Sequence, residues 1–545
     1  MTIGFPQLVH SGRWQRLKAI ALCAAALVAA TLVSGPHAEL PHIAPDSCQY
    51  LSAAHHLRTA HRMETSLVHF DTERSQGRIP AKLTWFPPGY PAAIAFASAL
   101  AGGYETGALW ISMLSFVLVT MGLWHLMRLL DPSRWAAAAA TLCWIANSHA
   151  LYASGAALSE PLFTLLGIAN LLLLLHADAS HNNRRAWLYW TAAAVTAGLS
   201  YWVRYAGLLF LAANLAVLCA RVMSGKVSRR IAVTAAATAI LLAVPLMIRN
   251  LVLVGDWRGG NNIPFSRPLR AFAADTPKVW YHLVLGDASA SRLGLPAALV
   301  SIGLIGLGAV TWMKTMRSAG YPLRQRIPLP AARGWIVLTV FMTYVSGMTV
   351  IAQRSVISYI PRMYVPVLPH LIALMVISVS LAIRHLPSRG WQRQFTAGMA
   401  ACILIGYLTG NVISSGANPP DAFQQTEEAL FARDASGLSM QGLITREIGG
   451  NAAIAATNGQ TVGYLLKRPT LSLVGRPFSS VTWNEPMLRA EMARFGAKYL
   501  LLSRDPAADP VVQQSEFLGA LARGATVPWL RLMAENRDMY VYRVQ

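Results

Sequence analysis

The chain has 545 residues, of which 54% are hydrophobic and only 13% are charged, and its formal net charge is +22. Soluble domains average about 25% charged residues, so this composition excludes an ordinary soluble protein and predicts a polytopic membrane protein. The positive charge would suggest nucleic-acid binding in a soluble protein. In a membrane protein the cytoplasmic loops collect Lys and Arg, so we predict no nucleic-acid partner.

Apolar stretches long enough to cross a bilayer recur along the chain, and we predict about eleven spans. Basic clusters fall in alternate gaps between them, which places the N-terminus in the cytoplasm and, after an odd number of crossings, the C-terminus outside. Residues 90–101 are too short for a perpendicular crossing and predict an interfacial or re-entrant helix. The predicted spans are 17–35, 106–127, 136–153, 159–176, 187–203, 206–222, 231–248, 294–313, 335–352, 364–383 and 395–413.

The first span resembles a signal peptide, since basic residues precede it and small residues follow it. Its length favours an uncleaved span. Three larger segments then lie on the outer side: 36–105, which includes interfacial helices, 249–293, and the tail from 414.

The tail alternates strand-like and helix-like patterns and is long enough for a small domain. We predict strands at 452–456, 470–474 and 499–502, helices at 461–466 and 485–495, and a terminal hairpin of 530–534 with 539–544. The predicted fold is therefore mainly α. It combines a transmembrane helix bundle over residues 1–413 with a small extracytoplasmic α/β domain over residues 414–545.

Asp46 lies shortly after the first predicted span, between Pro45 and a segment rich in aromatic residues and His. A carboxylate at this place can accept a proton from an acceptor hydroxyl, which is the task of a general base in group transfer. The alternative is an ordinary helix cap, because Pro45-Asp46-Ser47 precedes the helix-like stretch Cys48–Arg62. From position alone, the cap is the better explanation.

Three arginines, Arg204, Arg249 and Arg362, lie at the predicted outer ends of different spans, against the charge trend. Guanidinium groups bind phosphate through paired hydrogen bonds, so these residues suggest a shared anionic ligand at the membrane surface. The alternative is snorkelling to lipid headgroups or pairing with outer acids.

Glu160 lies on the same side, in Ser159-Glu160-Pro161, where two predicted spans meet. An acid at the membrane edge suits a metal or a phosphate-bearing ligand. The alternative is an ordinary helix start, with Ser159 as the cap. The cap explains the turn but not why the residue after Ser159 is an acid. The helix start and a ligand-binding role for Glu160 can both hold.

These residues occur in an order that is typical of a known family. Over about residues 36–370 the chain resembles the GT-C superfamily of membrane glycosyltransferases. It is most similar to the bacterial branch that contains the lipid A aminoarabinose transferase and the lipopolysaccharide-core sugar transferases, which is related to the protein O-mannosyltransferases. The ordered series is Asp46…Tyr50, Phe86-Pro87-Pro88-Gly89-Tyr90-Pro91, Ser159-Glu160-Pro161-Leu162-Phe163, Arg204-Tyr205-Ala206-Gly207, Arg249-Asn250 and Arg362-Met363-Tyr364-Val365-Pro366.

The resemblance implies an extracytoplasmic site and a polyprenyl-phosphate-linked sugar as donor. It implies that Asp46 activates the acceptor and that Arg204 and Arg362 hold the donor phosphate, with Arg249 as a further candidate. Glu160 matches the acid of the second outer loop.

Tyr50 and Lys82 are expected to play supporting roles. The chain departs from the family pattern at three positions. Ser47 stands where many members have a second acid, Glu160 where Asp is common, and Lys82 five residues before Pro87, where the aminoarabinose branch has a Lys close to the proline pair. These changes leave open whether a divalent metal, bound by Glu160 and Asp46, is a cofactor or whether none is needed.

We therefore expect a hexosyl- or pentosyltransferase of the bacterial cytoplasmic (inner) membrane that acts on a lipid, polysaccharide or protein acceptor at the outer face. One alternative is a transporter or flippase of lipid-linked sugars, and another is a polymerase or ligase of surface polysaccharide. The tail shows no catalytic constellation and is expected to be a scaffold or an acceptor-side domain.

Overall fold

The computed structural model describes residues 42–68, 75–131, 133–260, 266–287, 329–354, 360–385, 391–416, 422–433, 439–448, 452–475, 481–505 and 509–545, with a few residues between 21 and 31. The predicted span 294–313 lies outside the described residues, and so does most of 17–35. Up to residue 416 the described chain is mainly helical.

The helices of this part form a bundle in which most consecutive helices pack against one another. A 3₁₀ turn at Pro361–Val367 leads into α12. In chain order the helices are α1 (Pro45–Ala60), α2 (Gly89–Ala101), α3 (Tyr104–Leu130), α4 (Arg134–Ala146), α5 (Ser148–Ser154), α6 (Glu160–Ala179), α7 (Asn183–Val203), α8 (Gly207–Met223), α9 (Arg229–Val254), α10 (Leu269–Leu285), α11 (Leu329–Arg354), α12 (Leu368–His385) and α13 (Trp391–Gly416).

Within the described residues, 5 helical segments are long and apolar enough to cross a membrane. The chain is therefore a multi-pass membrane protein, as its composition predicted. The total number of crossings stays a prediction. The five segments are Tyr104–Leu130, Glu160–Ala179, Arg229–Val254, Arg333–Arg354 and Pro361–Leu381.

The predicted span 136–153 is not one continuous helix, because the chain breaks at Asn147 between α4 and α5. The Asn147 side chain compensates for the break. Its Oδ1 accepts a hydrogen bond from Ala150 N at 3.0 Å, and its Nδ2 donates to Leu283 O at 2.9 Å. A buried amide of this kind satisfies backbone groups that the broken helix would leave unpaired.

Helix α2 has 13 residues and is about 20 Å long at 1.5 Å per residue, which is short of a hydrocarbon core of about 30 Å. It begins against α7, where a Cβ on Gly89 would lie 2.5 Å from Trp202 O. Glycine at this position permits the close approach of the two helices. The Pro-rich segment that precedes α2 thereby places this helix against the bundle.

Helix α1 begins at Pro45, and Ser47 Oγ accepts a hydrogen bond from Ala44 N at 3.0 Å. Its N-terminal half is buried in the protein, with Tyr50, Leu51 and Ala54 at most 3% exposed. These residues belong to the hydrophobic core of the bundle. The first loop is thus packed into the structure.

The C-terminal part contains a six-stranded sheet in the order β2-β5-β4-β6-β8-β7. Strands β2, β5, β4 and β6 run parallel, and β7 and β8 form an antiparallel hairpin next to β6. A separate two-stranded sheet pairs β1 with β3. The strands are β1 (Glu64–Thr65), β2 (Leu67–Val68), β3 (Ala81–Lys82), β4 (Ala453–Ala456), β5 (Thr470–Ser472), β6 (Ala497–Ser503), β7 (Leu530–Glu535) and β8 (Met539–Val544).

The strands, helices and hairpin predicted for the tail all coincide with observed elements. Four further helices were missed from the sequence, two that precede β4 and two between β6 and β7. The helices of this part are α14 (Ala422–Phe431), α15 (Met440–Glu447), α16 (Gly459–Leu466), α17 (Glu485–Arg494), α18 (Pro510–Gln514) and α19 (Glu516–Ala522).

Both faces of the six-stranded sheet are covered by helices. Ile454, Ala456 and Leu501 pack in one hydrophobic cluster with α14, α15 and α16. Ala455 and Leu500 pack in another with α17 and α19. We call residues 422–545 together with β2 the C-terminal unit.

Strand β2 belongs to the first loop, so the six-stranded sheet takes one strand from the other side of the predicted boundary at 413–414. The division of the chain into two domains at that boundary stays a prediction.

Candidate active site

A cavity of about 1170 Å³ lies between the helical bundle and the C-terminal unit. The bundle side of its wall contains Asp46 and Tyr50 from α1, Arg204 from the turn between α7 and α8, and Arg362 from the 3₁₀ turn. Four candidates that the sequence singled out therefore meet at one cavity, although they come from three distant segments of the chain.

Asp46, Arg362, Glu160 and Arg204 form a continuous chain of alternating charges. Arg362 Nη2 donates to Asp46 Oδ2 at 2.6 Å, and Arg362 Nε donates to Glu160 Oε1. Arg204 Nη1 lies 2.8 Å from the same Glu160 oxygen. The cluster contains two guanidinium groups and two carboxylates, so their formal charges balance.

The local backbone explains where Arg204 points. Arg204 ends α7 in an extended conformation, with φ −146 and ψ 139. Helix α8 then starts at Gly207, where a Cβ would clash with the backbone nitrogen of Tyr201. Only glycine permits so tight a turn. This turn directs the Arg204 side chain towards Glu160 rather than along the helix.

Glu160 lies in the first turn of α6, and its side chain is fully buried. Burial of a carboxylate is costly unless it is paired, and two arginines pair with this one. Its Oε2 has no hydrogen-bond partner among the described residues. Glu160 thus anchors both arginines.

The expected helix starts are present, since Asp46 lies in the first turn of α1 and Glu160 and Pro161 begin α6 directly after Ser159. The side chains expected to cap these helices serve another purpose. The residue that caps α1 is Ala44, and Asp46 turns to Arg362. Ser159 makes no side-chain capping bond to α6. Its Oγ instead accepts from Arg204 Nη1 at 2.9 Å. Both side chains contribute to the charged cluster.

Tyr50 supports this cluster through its contact with Ser159. Its hydroxyl lies 3.3 Å from Ser159 Oγ, and its ring packs against Phe86 and Tyr90 with centroid distances of 4.6 and 5.0 Å. Burial, with a further contribution from Asp46, raises the pKa of the Tyr50 phenol far above its ordinary value. Tyr50 is therefore neutral and holds Ser159 by a hydrogen bond.

Arg249 and Lys82 lie outside this cluster and are not among the described residues that line the cavity. Arg249 Nη2 donates to Leu83 O at 2.6 Å, so this arginine fixes the first loop at Leu83. Lys82 pairs with Glu64 at 2.8 Å and is about half exposed. The arrangement thus gives no support to phosphate binding by Arg249 or to a supporting role for Lys82 at the cavity.

Two basic residues of the cavity wall, Arg258 and Arg537, were missed from the sequence. Arg258 lines the cavity and pairs with Asp256 at 2.8 Å. It lies in the predicted outer segment 249–293, so the charge trend that identified the other arginines applies to it as well. It was overlooked because it does not lie at the end of a span.

The two carboxylates suggested as metal ligands both contact Arg362, so a guanidinium group lies between them. Hard divalent cations usually take about six oxygen ligands. In the described part of the chain, no three His, Cys, Asp or Glu side chains gather into a metal-binding group. The residues present fit such an ion poorly, and we derive no step through one.

The model of the dolichyl-phosphate-mannose-protein mannosyltransferase family matches residues 86–248 of this chain. That match contains Glu160 and Arg204. No curated protein matches the sequence significantly.

Several solved structures share the fold over nearly the whole chain. ArnT from Cupriavidus metallidurans bound to undecaprenyl phosphate matches with a TM-score of 0.56 and 14% identity, covering 96% of this chain and 97% of that one. The archaeal oligosaccharyltransferase AglB from Archaeoglobus fulgidus, in complex with an inhibitory peptide and a dolichol-phosphate, matches with a TM-score of 0.54 and 12% identity, covering 90% and 70%. The chain therefore has the fold of the GT-C superfamily of membrane glycosyltransferases, as the ordered motifs of its sequence predicted.

Proposed function

We propose that this protein is an integral-membrane glycosyltransferase. It moves a sugar from a polyprenyl-phosphate donor to an acceptor at the outer face of the cytoplasmic membrane. The observation that carries the proposal is the cluster of Asp46, Arg362 and Arg204 on the wall of a large cavity in a GT-C fold, anchored by the buried Glu160. The alternation of basic loops along the sequence supports the outer face.

The lipid part of the donor fits the bundle side of the cavity. Leu208 and Leu209 from α8 and Met348 and Ile351 from α11 line it with apolar side chains. Two proteins of similar fold have been solved with undecaprenyl phosphate and with a dolichol-phosphate, which supports a polyprenyl carrier here.

The donor phosphate binds by replacing one carboxylate of the cluster as the partner of an arginine. The formal charges of two arginines and two carboxylates balance, so an entering anion needs one arginine to be released. The Asp46 side chain is 33% exposed, whereas that of Glu160 is fully buried. Asp46 is therefore the partner that moves aside, and Arg362 then binds the phosphate through charge-assisted hydrogen bonds.

The same exchange prepares the reaction. Released from Arg362, the Asp46 carboxylate accepts the proton of an acceptor hydroxyl as that oxygen attacks the anomeric carbon of the sugar. The bond from the anomeric carbon to the phosphate oxygen breaks, and its electron pair leaves with the polyprenyl phosphate. Arg204 and Arg362 stabilise the negative charge that grows there.

Incubation of the purified protein in nanodiscs with labelled undecaprenyl- and dolichyl-phosphate hexoses and pentoses tests the proposal. Lipid, polysaccharide and protein acceptors are supplied in separate reactions. The expected result is label on one class of acceptor together with released polyprenyl phosphate. Movement of the labelled lipid across a vesicle membrane without transfer would instead identify a flippase. Growth of a polymer, or transfer of a preassembled chain, would identify a polymerase or ligase.

A further inference from the structure

The wall of the cavity that belongs to the C-terminal unit is formed by the carboxyl ends of its parallel strands. Thr457 and Asn458 follow β4, Leu473 follows β5, and Ser503 and Asp505 mark the end of β6. All five residues line the cavity that Asp46 lines from the other side. No sequence pattern singled out functional residues in this part of the chain.

The helices that follow β4 and β6 lie on opposite faces of the sheet. Strands β4 and β6 are neighbours. The helix after β4, α16, packs on the face that carries Ile454 and Ala456. Residues of α18 and α19, which follow β6, pack on the opposite face. Connections that diverge from adjacent parallel strands leave a crevice at the carboxyl ends, where open α/β sheets bind their ligands.

A buried polar side chain at this crevice has a donor group that no described residue accepts from. Gln460, in the first turn of α16, lines the cavity and is 4% exposed. Its Nε2 has no hydrogen-bond partner among the described residues. An unpaired buried amide costs about 1–3 kcal/mol of stability, so its presence points to a ligand that supplies the missing acceptor.

The two walls of the cavity differ in charge. The bundle wall carries Arg204, Arg258 and Arg362 with Asp46 as its acidic residue, and the wall of the C-terminal unit carries Glu428, Asp505, Asp509 and Asp538 with Arg537 as its basic residue. Asp509 caps α18 through Val511 N at 2.9 Å, so part of its hydrogen-bonding capacity is used in the fold. An acidic wall repels a phosphate and favours groups that donate hydrogen bonds.

We propose that the crevice between the ends of β4 and β6 binds the hydroxyl-rich head of the acceptor, an uncharged or amino-bearing saccharide. The crevice would hold one hydroxyl of this saccharide towards Asp46 while the donor phosphate occupies the arginine wall. This inference rests on the proposed function and extends it, because it assigns the acceptor to residues of the C-terminal unit.

Binding of soluble tetrasaccharides to the full-length protein in nanodiscs tests this assignment. The probes are a glucosamine tetrasaccharide, its uncharged N-acetylated form and a sulfated form, measured by saturation-transfer NMR and titration. Binding of undecaprenyl phosphate is measured on the same samples. The variants are Gln460→Met and Asp505→Asn. Gln513→Met and Glu516→Gln are matched controls, since both lie in the same unit, are exposed and do not line the cavity.

The expected result is that the amino and uncharged probes bind and the sulfated probe does not. Gln460→Met should weaken both by about tenfold, and Asp505→Asn should weaken the amino form more than the uncharged one. The melting temperature of Gln460→Met should stay equal or rise, because the variant removes a buried amide nitrogen that has no partner among the described residues. A purely structural Gln460 would give a lower melting temperature.

The inference is overturned if no tetrasaccharide binds the wild-type protein, or if both variants bind as the controls do. Failure of the proposed function has a different signature. In that case the wild-type protein would not bind undecaprenyl phosphate or transfer sugar from it, whatever the tetrasaccharides do.

Discussion

Arg362 and Asp46 lie 316 residues apart in the sequence, yet Arg362 Nη2 donates a hydrogen bond of 2.6 Å to Asp46 Oδ2. The same guanidinium contacts the buried Glu160 through Nε. One arginine thus couples the proposed general base to the residue that anchors the cluster. In our proposal, exchange of the Asp46 contact for a phosphate links donor binding to the release of the base.

Arg362→Lys tests whether the planar guanidinium is required. A lysine keeps the charge but cannot contact Asp46 and Glu160 through two fixed nitrogens. We expect transfer to fall about 100-fold, the usual effect of losing one preorganised donor to a developing charge. Steady-state kinetics with a labelled donor provide the measurement. Arg446→Lys, an exposed arginine of α15 paired with Glu447, is the matched control, and equal rates for both variants would contradict the assignment.

Arg249→Gln separates loop positioning from phosphate binding. Arg249 donates to Leu83 O and not into the cavity, so its loss should lower stability by about 1–3 kcal/mol, as for other hydrogen bonds to charged groups. The affinity for undecaprenyl phosphate should stay within about twofold of wild type. Arg204→Gln should weaken that affinity strongly. Thermal unfolding and titration with undecaprenyl phosphate, measured on both variants, distinguish the two roles. A loss of affinity in Arg249→Gln as large as that in Arg204→Gln would place Arg249 at the phosphate.

Gly463→Ala tests the contact between α16 and strand β2. A Cβ at Gly463 would lie 2.5 Å from Leu67 Cδ2 and would also clash with Thr470 Oγ1. Overpacking of this kind costs about 1–3 kcal/mol, and we expect a lower melting temperature. Gly406→Ala in α13 is the control, since a Cβ there meets no described atom within 4 Å. An unchanged melting temperature for Gly463→Ala would argue against the parallel pairing of β2 with β5.

Tyr464 and Glu105 join the C-terminal unit to the bundle. Tyr464 OH donates to Glu105 Oε1 at 2.7 Å. Burial, and next the carboxylate of Glu105, raises the pKa of Tyr464 far above its ordinary value, so the phenol stays protonated and remains a donor. A double-mutant cycle of Tyr464→Phe and Glu105→Gln should give a coupling energy of about 1–3 kcal/mol. Additive effects on thermal unfolding would show that the contact does not hold the two parts together.

Sequence patterns predicted the features that depend on neighbouring residues. The apolar run at 499–502 and the hairpin of 530–534 with 539–544 are local signals, and both were confirmed by β6, β7 and β8. The charge trend singled out Arg204, Arg249 and Arg362, because a basic residue at the end of a span is visible without knowledge of its partner. It could not tell that Arg249 contacts Leu83 O while the other two line the cavity.

Contacts between distant segments left no such signal. Strand β2 has two residues and pairs with β5 some 400 residues further along the chain, so no pattern at 67–68 announced it. The break at Asn147 depends on acceptors such as Leu283 O in another helix. The crevice between β4 and β6 arises only when the connections leave on opposite faces of the sheet.

The most direct test of the account is Asp46→Asn, compared with Asp275→Asn on the exposed side of α10. The measurement is single-turnover sugar transfer together with the affinity for undecaprenyl phosphate. We predict that Asp46→Asn lowers transfer about 100-fold or more, the scale of a lost general base, while the lipid binds as well as before or more tightly, because Arg362 no longer holds a competing carboxylate. Transfer at the rate of Asp275→Asn would contradict the account.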